Sequence, residues 1–146
     1  MFKNEELFDY GHFTFEDINM GVRLHKIKNK IKSLIDEYDI DEVIFEDIYM
    51  DGQRVNNVQT FKVLAEVFGV VYELVTDLGL PNTAVLAGTW KSTLNIKGTA
   101  RAEQKRNAQT YVLNTYNKKA TQDECDAICI GAHLIKQKNS SFNWTD

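Results

Sequence analysis

Asp41-Glu42-Val43-Ile44-Phe45-Glu46-Asp47 is the stretch that decides the fold class of this chain. Its Val-Ile-Phe run is short and apolar without alternation, as in a strand buried on both faces of a central parallel sheet. Helical patterns flank it. Before it, Leu24, Ile27, Ile31, Leu34, Ile35 and Tyr38 form one stripe from about Met20 to Tyr38, with Asp17 or Asn19 available as the cap. After it, Asp51-Gly52 punctuates the chain, and a long helix is expected from about Val55 to Leu78. Val58, Phe61, Leu64, Ala65, Phe68, Val71, Tyr72 and Val75 keep its spacing, while Val63, Val67 and Val70 widen the stripe. A helix apolar on more than one face is either central or at a subunit interface. Gly79 and Pro81 end it.

Working outward, Thr83 to Ala87 reads as a second short buried strand. Residues 88–100 read as a polar, basic loop, Arg101 to Leu113 as a helix, and Asp123 to Lys138 as the last helix, before a polar tail that reaches Asp146. Toward the N-terminus, the aromatic, partly alternating residues 7–15 read as a strand. Strands alternating with helices imply an α/β layer fold with a parallel component. At 146 residues, with 43% hydrophobic and 26% charged, one domain over residues 1–146 is expected.

Composition narrows the function classes. No apolar run approaches a membrane span, and Met1 to Glu6 has no signal-peptide character, so a cytoplasmic protein is expected. Cys125 and Cys129 read as buried thiols, and His12, His25 and His133 have no zinc-site spacing. The net charge of −4 conceals two basic runs. Arg23, Lys26, Lys28, Lys30 and Lys32 read as a solvated helix face. Lys91, Lys97, Arg101, Lys105 and Arg106, with Glu103 as their one acid, read as a phosphate-facing segment.

Three carboxylates stand out. Glu46 closes an otherwise apolar strand, although it could equally be a strand-end residue turned to solvent. Asp123 and Asp126 sit at i and i+3 at the start of the last helix and share a face. Thr121-Gln-Asp-Glu124 matches a capping box, which accounts for Glu124 and partly for Asp123. It does not account for Asp126, which leads into Ala127-Ile128-Cys129-Ile130. Oxygen-only ligands of this kind select Mg²⁺ or Mn²⁺ rather than zinc. Two such ions roughly 3.5–4 Å apart cleave phosphodiesters.

These residues also carry a resemblance. Val43-Ile-Phe-Glu46-Asp-Ile-Tyr-Met50 resembles the second catalytic strand of RuvC-type Holliday junction resolvases, and Asp123-Glu-Cys-Asp126-Ala-Ile-Cys-Ile resembles their C-terminal catalytic helix. Between them, the helix with Phe61, Ala65, Phe68 and Gly69 looks like the family's dimerisation helix. Trp90-Lys91, Gly98 and the helix with Lys105 look like its substrate-binding loop and helix. The likeness runs from about Leu7 to Leu134.

The resemblance implies a ribonuclease H-like mixed sheet flanked by helices and a homodimer through the helix around Val55 to Leu78. It implies Mg²⁺-dependent nicking of branched DNA, in a bacterium or its phage. Glu46, Asp123 and Asp126 become metal ligands, and Lys105 joins the catalytic set. Tyr49 takes a base-stacking position, and Lys91 and Lys105 hold phosphate. Lys97 and Arg101 are further phosphate contacts on local charge alone. The family's first strand, with its Asp-x-Gly or Asp-x-Ser element, has no counterpart here. Met1 to Gly11 looks like the end of the family's first hairpin, so the expectation is a chain lacking the central strand and one catalytic aspartate, with weak or no activity. A dimeric protein that holds junctions without cutting, and an α/β interaction domain with no DNA role, are the alternatives.

Overall fold

The computed structural model describes residues 1–49 and 58–142. The order is β1 (Phe2–Lys3), β2 (Glu6–Leu7), α1 (Met20–Glu37), β3 (Val43–Glu46), α2 (Val58–Asp77), β4 (Asn82–Val85), α3 (Ala87–Thr93), α4 (Arg101–Tyr116) and α5 (Gln122–Phe142). The expected α/β class holds. Among the described residues the sheet consists of two two-stranded pieces, β1 with β2 and β3 with β4. Two compact units are distinguished, Met1–His12 with Val85–Asp146, and Phe13–Ala84.

In the unit Phe13–Ala84, α1 packs on α2. Asn19 is the cap, its Oδ1 accepting from Val22 N–H at 3.0 Å. Asp17 instead takes Lys26 Nζ at 2.8 and 2.9 Å. The expected stripe of α1 is buried or half-buried, with Ile35 deepest. Phe45 of β3 meets Phe68 edge-on at 5.3 Å and Tyr72 at 6.3 Å, which fixes α2 over the strand. Gly79, at φ +67, stops α2, and Leu80 N–H returns to Val75 O at 3.0 Å. Val43 N–H then donates to Pro81 O at 3.0 Å, so β3 and β4 start side by side, as a parallel pair does. Residues 55–57 of the expected α2 lie outside the described residues.

In the other unit, α3 and α4 pack on α5. Trp90, Val112, Cys125, Ile128 and Cys129 are fully buried there. Helix α3 was not expected, since residues 88–100 read as a loop. Its polar residues hid a Leu86, Trp90, Leu94 spacing, one apolar residue per turn. Trp90 is fully buried, and Trp90 N–H to Leu86 O and Leu94 N–H to Trp90 O close the turns. Helix α4 runs on to Tyr116 because that ring packs against Phe2 at 5.7 Å and Tyr111 at 6.4 Å. Asn117, left-handed at φ 54, ends it. Helix α5 likewise runs past the expected Lys138.

The N-terminal strand expected over residues 7–15 is also corrected. Only Glu6–Leu7 is strand, paired with Phe2–Lys3 across a two-residue turn with Asn4 and Glu5 at φ 51 and 68. Beyond Leu7 the backbone turns back: Phe8 and Asp9 N–H both reach Met1 O. Aromatic alternation is only half of a strand; the other half is a partner for its N–H and C=O groups. Phe2 lies so close over Gly131 that a Cβ there would overlap its ring, so this glycine seats the hairpin on α5.

Candidate functional site

Helix α5 begins as its sequence predicts. Glu124 N–H donates to Thr121 Oγ1 at 3.3 Å, and Thr121 N–H donates to Glu124 Oε1 at 2.9 Å, a reciprocal capping box. The other Glu124 oxygen meets His12 Nδ1 at 3.1 Å. The Thr121 N–H, then His12, hold the Glu124 carboxyl below the ordinary range. These bonds occupy Glu124, while Asp123 and Asp126 share a face of α5. Asp123 is exposed and Asp126 half-buried.

Cys125, Ile128 and Cys129 of α5 are fully buried. Burial, then the Asp126 charge, pushes the Cys129 thiol up to about 12, and the same two causes raise Cys125. Both cysteines are free and buried, as the sequence led one to expect. His133 is buried with Nδ1 unpartnered among the described residues, and desolvation lowers its pKa.

Glu46 ends β3 in the unit Phe13–Ala84 and is exposed. Tyr49, in the same unit, is 77% exposed, an open aromatic face. Among the described residues no group of three or more His, Cys, Asp or Glu side chains is placed to hold a metal ion. The Asp123/Asp126 pair fits an oxygen-preferring divalent cation in donor chemistry and in sharing one helix face; by itself it would make only part of a ligand set.

The basic residues are more tightly organised. Lys91 Nζ lies 5.3 Å from the Trp90 ring centroid and donates to Gln104 Oε1 at 3.1 Å. The turn before α4 is held by three side chains of that helix. Glu103 Oε2 accepts from Thr99 N–H at 3.1 Å, Gln104 Nε2 donates to Gly98 O at 2.9 Å, and Asn107 Nδ2 donates to Lys97 O. Gly98 sits at φ +147, and a Cβ there would come within 3.1 Å of Gln104 N, so only glycine fits. Lys97 and Arg101 are exposed on this turn, and Lys105 is half-buried one turn into α4.

Sequence reasoning missed Glu103, Gln104 and Asn107 as the clamp, and His12 as the partner of Glu124. An acid at the third position of α4 was a signal for the first; the amides follow no pattern, since they bond whatever carbonyl the turn presents. A polar cleft of about 370 Å³ lined by Thr93, Lys136, Gln137, Ser140 and Ser141 contains none of the expected site residues. No described helix is long and apolar enough to cross a membrane.

Two solved structures of Thermus thermophilus RuvC share this fold. One, in complex with Holliday junction substrate, is 14% identical over 83% of this chain and 70% of that chain, with TM-score 0.66. The other is 17% identical over 88% and 75%, with TM-score 0.67. No curated protein sequence matches the chain. The family model for crossover junction endodeoxyribonuclease RuvC matches residues 3–133. With that span covering nearly all of the described residues, the chain belongs to the RuvC family of crossover junction endodeoxyribonucleases.

Proposed function

We propose that this chain is a nuclease domain that nicks four-way DNA junctions as a homodimer, using divalent metal held by Glu46, Asp123 and Asp126. The observation that carries the proposal is the start of α5, where Thr121 and Glu124 close a reciprocal capping box and Asp123 and Asp126 share one helix face. Acids on one helix face beside a buried interior are suited to holding a hard cation. Mg²⁺, or Mn²⁺ in its place, would supply an activated water and charge neutralisation at the scissile phosphate. The protein's own residues position the DNA. Lys91, Lys97, Arg101 and Lys105 take backbone phosphates, Lys105 also offsetting charge at the cleaved bond, and Tyr49 offers its ring to an unstacked base.

A homodimer suits paired cuts in a symmetric substrate, and α2 leaves Val58, Leu64 and Tyr72 about half exposed. Sedimentation tests this: a monomer at every accessible concentration would overturn it. The proposed setting is the cytoplasm of a bacterium, or of one infected by phage, where branched DNA arises.

The test is cleavage of a synthetic four-way junction in Mg²⁺ by the chain, by the chain lengthened upstream by one hairpin, and by Asp126→Asn. The expected result is cleavage that Asp126→Asn lowers by about 10²-fold or more, with binding retained. Cleavage unaffected by Asp126→Asn would remove the metal assignment. The second reading, a junction-binding protein that does not cut, is favoured by the clamped basic turn, which three side chains of α4 hold in place. Tight, salt-sensitive binding with no cleavage by either length of chain would establish it.

A further inference from the structure

We infer that Gln104 is a positioning residue for DNA, setting Lys91 and the Lys97–Arg101 turn in one arrangement while leaving the lysine charge available. The inference rests on the phosphate-binding reading above. A single amide spans two elements here. Its oxygen accepts from Lys91 Nζ at the end of α3, and its nitrogen donates to Gly98 O in the turn before α4. Its stem packs where Gly98 has no side chain, 3.0 Å from the position a Cβ would take. Gln104 is half-buried, and so is Lys91.

The choice of an amide is the informative point. An ammonium group needs acceptors to hold it in one place, and a carboxylate would do this most strongly, as an ion pair. A carboxylate would also cancel the charge that a phosphate requires. An amide oxygen orients the ammonium group, leaves its charge intact and leaves two of its three N–H donors for another acceptor. The second amide function then ties this orientation to the turn bearing Lys97 and Arg101. The cations are thus presented as a set before DNA arrives, which lowers the ordering cost of binding.

Two variants that both lose the Gly98 bond differ in charge. Gln104→Glu retains an acceptor for Lys91, cancels its charge and, having no N–H, no longer donates to Gly98 O. On a synthetic four-way junction its affinity is expected to fall about tenfold, and the slope of log K against log[salt] to flatten by about 0.9, one phosphate contact. Gln104→Ala removes both bonds and leaves the charge. Its affinity is expected to fall about threefold at an unchanged slope, with faster hydrogen exchange at Thr99 and the neighbouring turn in the free protein. A residue that served only stability would not move the salt slope. Gln104→Glu binding as wild type with an unchanged slope would overturn the charge argument. Unchanged exchange in Gln104→Ala would overturn the positioning argument, with or without DNA. Wild-type protein that shows no salt-sensitive junction binding would instead overturn the phosphate-binding reading, and the charge argument with it.

Discussion

The two basic runs have similar charge, yet the structure treats them differently. In α1, Lys26 is held by both oxygens of Asp17, and Lys28 reaches Glu73 at 3.3 Å. Those cations meet carboxylates at the surface and serve an amphipathic helix whose other side packs on α2. In the segment from Lys91 to Arg106, Lys91 is met by an amide instead. The run's one acid, Glu103, is engaged by the Thr99 backbone N–H. The same residue types make a solvated face in one place and a fixed cationic turn in the other. The difference lies in what holds the backbone that bears them.

The largest effect expected from this contrast concerns anchorage. Trp90→Ala empties the fully buried site beneath Lys91 and should cost about 3–5 kcal/mol in urea unfolding, with junction binding lost as well. Ile35→Ala under the other run should cost about 2–5 kcal/mol and leave binding by the folded protein unchanged. Equal binding losses for the two variants would erase the distinction between the runs.

Charge removal is the more direct comparison. Lys97→Ala/Arg101→Ala/Lys105→Ala should weaken junction binding about a hundredfold and flatten the salt slope by about 2–3. Lys28→Ala/Lys30→Ala/Lys32→Ala should stay within about twofold of wild type on the same assay. A reversal would transfer the DNA-binding assignment to α1.

Gly98→Ala tests the turn without touching a charge. With φ at +147 and Gln104 against the new Cβ, it should destabilise by about 1–3 kcal/mol and lower affinity several-fold at an unchanged salt slope. Full retention of affinity would mean that the turn need not be preorganised.

The smallest effect belongs to the first run. The hydrogen bond from Lys26 holds the Asp17 carboxyl below its ordinary value. A folded pKa below the unfolded one adds stability above the unfolded pKa, about 3.9, and that stability is lost as pH falls through the folded value. Asp17→Asn should therefore remove a shallow acid-side step in α1 helicity, followed by circular dichroism, and leave DNA binding unchanged. An identical acid titration would show that this surface pair contributes nothing measurable.

Much of this was legible in the residues themselves. Apolar periodicity located α1 and α2, because burial on one face repeats with the geometry of the element, and a short unbroken apolar run located β3. Gly79 and the Thr121–Glu124 box marked helix ends, because capping bonds run between near neighbours in sequence. The order of the Glu46 strand and the Asp123/Asp126 helix carried the family likeness. Tertiary structure decided the rest. It made a helix of residues 87–93 by burying Trp90 under polar neighbours, and it withheld a strand from residues 8–15 by turning Phe8 and Asp9 N–H back to Met1 O. It also turned scattered lysines into an ordered turn, through amides whose partners lie six, ten and thirteen positions away. Local pattern reports what a segment favours alone; a partner brought in by folding is written in no single segment, and the clamped basic turn is made of such partners.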